Sequence, residues 1–150
     1  MKKLICNYAL LSFIFALFFA GNAAMTVTRP ERAYQLVFEE HFGQETEDKK
    51  YFAVQSNTHT DNATLTKALQ DFCDARGITL VVINRGETQK DGIVAEFFDY
   101  ALTPTKVMVA AIDWTGGISH KSMKYTVEYQ WGAWRITDTA PYTIPMRDGP

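Results

Sequence analysis

Apolar and polar residues alternate from Met123 to Thr139 on both sides of Trp131-Gly132. Alternation with a period of two belongs to strands that bury one face and wet the other. Two such runs around a short glycine-bearing turn read as a β-hairpin. Taking Trp131-Gly132 as the loop sets Tyr129 opposite Trp134, Val127 opposite Ile136 and Glu128 opposite Arg135. A slip of one residue would put apolar positions against polar ones, so the pattern itself specifies the register. Lys106–Trp114, Ser119–Gln130 and Ala133–Thr139 form an antiparallel meander, with Gly116-Gly117 supplying the positive φ values of the first turn. That loop places Trp114 opposite Ser119, Asp113 opposite His120, Ala110 opposite Met123 and Met108 opposite Tyr125. Met108, Ala110 and Ile112 then share one apolar face with Tyr125, Val127, Tyr129 and Trp134. A face of this kind is expected to pack as core. Where helices leave one end of it uncovered, Trp114, Tyr125 and Tyr129 are the expected binding residues.

The cover has to come from earlier in the chain. Tyr34, Val37, Phe38 and Phe42 recur at helical spacing and predict a helix over 30–42, with Gly43 as its stop. Thr28-Arg29-Pro30-Glu31 reads as a capping box in front of it. A second helix is predicted from Asn62 to Arg76, where Leu65, Ala68, Leu69, Phe72 and Cys73 form one stripe; Asp61 or Asn62 starts it and Gly77 ends it. Tyr51–Gln55 is a short strand, and the apolar, β-branched run Ile78–Ile83 reads as a strand buried on both faces. Ile93, Val94, Phe97, Phe98 and Leu102 fit a helical stripe better than an alternation, so a third short helix is expected before Pro104. The fold class is α+β, with early helices packed on a C-terminal curved antiparallel sheet. The alternative is a βαβ module over Tyr51–Ile83 followed by the antiparallel meander.

Lys2 and Lys3, an apolar run from Ala9 to Ala20 and the small residues Gly21-Asn22-Ala23-Ala24 have the layout of a secretory signal peptide, 1–24. The remainder, 25–150, is then a single domain of the periplasm or the extracellular space, without stable membrane insertion after cleavage. An uncleaved N-terminal anchor is the alternative. The chain carries a net charge of −2, and losing the two leader lysines leaves it more acidic still. An acidic chain without a basic stripe is a poor partner for nucleic acid, which is bound by neutralising phosphates. Outside the leader Cys73 stands alone, so no internal disulfide is available, and its place on the helical stripe makes it a buried inert thiol.

The run Tyr125-Thr126-Val127-Glu128-Tyr129, followed by Gly132 and Trp134-Arg135-Ile136-Thr137-Asp138, resembles the closing strands of proteins similar to nuclear transport factor two. That resemblance implies a curved sheet wrapping early helices into a cone, often with a pocket at its wide end. Members of the superfamily include small enzymes, periplasmic scaffold subunits of secretion machines and binding modules. The strand, helix and strand of Tyr51–Ile83 resemble the small βαβ modules of secretion-channel proteins. Thr103-Pro104-Thr105 before an apolar strand resembles the proline-bearing strand of thioredoxin-like proteins, but their paired-cysteine motif is missing, which sets a redox function aside.

Asp113 and His120 are the candidate catalytic residues. Directly opposed beside the glycine turn, a carboxylate would orient the imidazole and favour its charged form, as general acid–base work requires. The structural reading of the same residues is a polar cross-strand pair. Glu128 and Arg135 read as an exposed structural ion pair. His41 and His59 lack the neighbours of a metal site, and neither a metal nor a cofactor is expected. Asn62-Ala63-Thr64 matches a glycosylation acceptor but sits where a helix cap is needed. The expected function is therefore an exported, non-enzymatic binding or scaffold domain with another protein as partner: an accessory of an envelope machine or an inhibitor of the immunity type. The alternative is a small enzyme or small-molecule binder that uses a cone pocket and the Asp113–His120 pair.

Overall fold

The computed structural model describes residues 28–55, 62–84, 86–115 and 118–143. The expected leader, His59 and the Gly116-Gly117 loop lie outside the described residues. Among those that are described, two helices and six strands follow one another as α1 (Glu31–Phe42), β1 (Tyr51–Gln55), α2 (Ala63–Asp74), β2 (Thr79–Ile83), β3 (Gly92–Thr103), β4 (Lys106–Thr115), β5 (Ile118–Gln130) and β6 (Ala133–Pro141). The strands make one sheet in the order β2-β1-β3-β4-β5-β6. β1 runs parallel to both β2 and β3, and every later pairing is antiparallel. The fold is α+β. Its first part is a βαβ unit, β1-α2-β2, because parallel neighbours need a crossover and α2 supplies it. That unit does not stand apart, since β1 also pairs with β3. No helix among the described residues is long and apolar enough to cross a membrane.

Helix α1 buries Tyr34, Val37, Phe38, His41 and Phe42 along one stripe. The capping box is not formed: the cap position is Pro30, which carries no side-chain cap hydrogen bond. Thr28 is turned inward instead, buried, with its carbonyl accepting from the indole Nε1 of Trp134. Gly43 does not reverse the chain either. It keeps a helical φ of −52°, and the chain leaves through a further turn in which the Thr46 hydroxyl donates to the Gly43 carbonyl at 2.9 Å. Helix α2 follows its expected bounds closely. The Asn62 side chain accepts from the amides of Thr64 (2.9 Å) and Leu65 (3.2 Å), and Gly77 ends the helix at φ +66°. The Asn62 amide nitrogen also donates to the Tyr34 hydroxyl at 2.8 Å and to Asp99. A glycan on that nitrogen would break this network, so the cap, not modification, explains the residue.

Between helices and sheet the core is a cluster of aromatic rings. Phe38 meets Phe72 and Phe97 edge-on at 5.6 and 5.3 Å, and Phe42 meets Phe52 at 5.1 Å, the geometry that ring quadrupoles favour. Tyr125 (1% exposed), Val127 and Trp134 (8% exposed) complete it from the far strands. The aromatic stripe is thus mainly core. The second hairpin has the expected pairs Tyr129–Trp134, Val127–Ile136 and Glu128–Arg135. Glu128 nevertheless bridges to Lys106 at 3.1 Å across β4, not to Arg135.

Three expectations are corrected. The third helix is strand β3, third in the sheet, where its aromatic and β-branched residues fit the pleat. Ile93 to Phe97 are buried on both faces, and a bulge lies between Asp99 and Ala101. Both features erase the alternation and imitate a helical stripe. β2, expected to be buried on both faces, is an edge strand with Val82 72% exposed, because among the described residues it pairs with β1 alone. The first hairpin keeps Trp114 opposite Ser119 but then shifts by one residue, so that Ala110 faces Lys124, Met108 faces Thr126 and Tyr125 faces Val109. The helix-covered face is therefore formed by Val107, Val109 and Ala111, and Met108, Ala110 and Ile112 lie on the other side.

Candidate functional site

The one-residue shift in the first hairpin, a bulge between Asp113 and Trp114, decides what surrounds Asp113. In the shifted register Asp113 faces Lys121, and His120 is the extra residue on β5. The expected direct Asp113–His120 pairing across the ladder is not formed. Both still line one cleft of about 520 Å³ with Trp114, under the 44–49 connection that leaves α1. Ile93 and Val94 of β3 contribute apolar lining, and Glu45 enters from the connection.

Glu45 changes the chemistry. Asp113 is buried, and its carboxyl shares a hydrogen bond with that of Glu45. Two carboxyl groups in contact cannot both ionise cheaply, so the buried one is harder to ionise. Burial, and then the Glu45 charge and hydrogen bond, push Asp113 from 3.8 up to about 6, against smaller opposing effects of His120 and Lys121. The Asp113 carboxyl is thereby able to release or take up a proton near pH 6 beside an exposed imidazole. Sequence reasoning missed Glu45 because the polar stretch Gln44–Lys50 has no periodicity and looks like any solvated connection. Only the path of the chain after α1 brings it to β4.

Lys121 is a fixed strut beside the cleft. Its ammonium donates to the carbonyls of Glu40 (3.3 Å) and His41 (2.8 Å), the last turn of α1, where a cation also complements the helix dipole. Behind it His41 is buried, its Nδ1 2.9 Å from the Tyr125 hydroxyl and its Nε2 without a partner among the described residues. Burial, helped by the Lys121 charge, lowers its pKa to about 3, so the imidazole is neutral. Among the described residues no group of three or more His, Cys, Asp or Glu side chains is placed to hold a metal ion.

The three expected binding residues part company. Trp114 is half-buried at the acidic cleft, its indole donating to Glu96 at 3.2 Å. Tyr125 is inside the core and turns its hydroxyl to His41. Tyr129 lies at the other end of α1, where it lines a second cleft of about 430 Å³ with Trp134, Leu36, Arg29 and Arg32. Comparison of the chain with family models, curated proteins and solved structures finds no match.

Proposed function

We propose that this is an exported domain that acts by binding another protein, as an accessory or inhibitor, and that the partner adds a strand along β2. One observation carries the reading. β2, Thr-Leu-Val-Val-Ile, is an edge strand without a charge or a proline, and Val82 is 72% exposed on it. Beside it runs a groove of about 220 Å³ whose apolar lining is Val54, Leu69, Leu80 and Val82. Unpaired edges of this kind template pairing with another chain, the backbone giving affinity and the groove giving side-chain specificity. The opposite edge, β6, is guarded by contrast, with Arg135 and Asp138 along it and Pro141 at its end.

A photoreactive amino acid at Val82, and a control at Thr137 on β6, test the proposal in the native compartment. A discrete cross-linked species from position 82 alone, lost when Val81 is replaced by Lys, is the expected result. Equal labelling from both positions, or none from 82, overturns it.

A second reading, a small acid–base enzyme, is favoured by the Glu45–Asp113 carboxyl pair beside His120 in the acidic cleft. It requires turnover that His120→Gln abolishes with the melting temperature kept. Partner binding that survives His120→Gln and fails with Val82→Lys supports the first reading.

A further inference from the structure

The 430 Å³ cleft at the start of α1 carries charge of the opposite sign and is distinct from both the β2 edge and the acidic cleft. Its rim is set by an unusual turn. Arg29 takes φ +45°, a left-handed conformation uncommon outside glycine, and its carbonyl accepts from the Arg32 amide at 2.9 Å. That turn puts both arginines on one rim, with Gln35 one turn on. Neither guanidinium is ion-paired or hydrogen-bonded to a described residue; the ion pairs among the described residues are Lys67–Asp71, Arg76–Glu39 and Lys106–Glu128. Glu39, the one acid lining the cleft, is thus already neutralised by Arg76. Glu31 and Asp71 line the neighbouring hollow, which Arg29, Arg32 and Gln35 also border, but not this cleft.

The floor is apolar and stiff. Tyr129 and Trp134 pack edge to face with ring centroids 5.5 Å apart, and Leu36 closes the side. Trp134 cannot swing away, because its indole nitrogen is tied to the Thr28 carbonyl. At the lip, Trp131 forms the tip of the β5–β6 turn at φ +55° and is 93% exposed, directly before the cleft residues Gly132 and Ala133. Two forked donors without acceptors among the described residues, above an aromatic floor of a size that fits a small ligand, match one class of molecule.

We propose that this cleft binds an amphipathic anion: a phosphate or carboxylate held by Arg29 and Arg32, with its apolar part on Tyr129, Trp134 and Leu36. The same chemistry occurs in a free amphiphile and in an anionic lipid headgroup. An exposed Trp131 beside two arginines suits the second source as well as the first, since indoles settle at membrane interfaces.

Octyl phosphate and octyl glucoside, which share a tail and differ in charge, test the site on the purified chain. The expected result is a saturable shift of the Trp134 indole resonance by octyl phosphate with Kd below about 1 mM. Arg29→Gln with Arg32→Gln should weaken it about tenfold or more at an unchanged melting temperature. No shift, an equal shift by octyl glucoside, or undiminished binding by the double variant overturns the proposal. Vesicles of phosphatidylglycerol against phosphatidylcholine separate the sources. Co-sedimentation with the anionic vesicles alone, lost in both Trp131→Ala and the double arginine variant, assigns the site to a lipid. Octyl phosphate binding without vesicle binding assigns it to a free amphiphile, and vesicle binding that survives the arginine variant overturns the lipid assignment.

Discussion

The two ends of α1 are built on the same plan and charged in opposite ways. Each end meets the sheet at a cleft with a tryptophan in its wall, Trp134 at the start and Trp114 at the finish. At the first end the charges are two arginines, which stay ionised at every pH of interest. At the second they are Glu45, Asp113 and His120, where burial and the neighbouring Glu45 push the Asp113 carboxyl up to about 6. Burial separates them further: both arginines are exposed, whereas Asp113 is buried. The first end is therefore suited to hold a fixed anion and the second to respond to pH. The helix between them is neutral to this difference, because Glu31 and Lys121 already complement its dipole at the two ends.

Trp134→Ala is the largest perturbation of that contrast. It removes a core aromatic, the floor of the arginine cleft and the tie to Thr28 together, and should cost about 3–5 kcal/mol. Chemical denaturation measures it, and an unchanged midpoint would place the indole outside the core.

Acid should unfold the C-terminal end of α1 by way of His41. Its folded pKa of about 3 lies below the ordinary 6.5, so the unfolded chain binds the proton first. The stability held above pH 6.5 is lost as the pH falls toward 3, at up to about 1.4 kcal/mol per pH unit. Asp113 acts in the opposite sense. Its folded pKa of about 6 lies above the ordinary 3.8, so its contribution is present below 3.8 and is lost as the pH rises through 6. Between pH 6 and 4 the two slopes offset one another. Asp113→Asn should therefore leave a net loss of stability toward acid over that interval, and His41→Gln a net gain, in denaturant titrations at a series of pH values. Identical pH profiles for parent and variants would refute both assignments.

Smaller changes probe the acidic cleft without emptying the core. Lys121→Met removes the strut on the Glu40 and His41 carbonyls and should cost about 1–2 kcal/mol by thermal melting. A loss below a few tenths would mean the strut is idle. Glu45→Gln should lower the Asp113 pKa from about 6, read from its carboxyl carbon resonance, because the neighbouring charge is gone. A titration that ignores Glu45 would dissolve the carboxyl pair. Least of all, His120→Gln should change stability by about 1 kcal/mol or less, since the side chain is exposed.

Legibility in the sequence followed the burial of each element. α2 and the β5–β6 hairpin each bury one face, so their periods survive in the residues: α2 emerged within two residues of its expected bounds and the hairpin kept its expected register from Val127 to the turn, before a one-residue shift at Thr126. β3 and β2 misled for complementary reasons. β3 carries apolar side chains on both faces and a bulge, which hides its alternation. β2 has the composition of a buried strand at a place where nothing described covers its outer side. Of the acidic cleft, Asp113, His120 and Trp114 were legible as neighbours of a turn, but the bulge at Asp113 exchanged the direct partner for Lys121.

By itself the amino-acid order determined what is local: an α+β chain, the Asn62 cap and Gly77 stop of α2, the hairpin around Trp131-Gly132 and the apolar faces that seek cover. Periodicity and turn chemistry act over a few residues and leave their mark there. Tertiary structure alone decided which groups meet across long separations. It brought Glu45 to Asp113, Arg29 and Arg32 to Trp134, and Lys121 to the end of α1. Those meetings depend on where strands pair and on a single extra residue in β5, quantities set by the packing of the whole sheet against two helices, to which no short stretch of sequence has access.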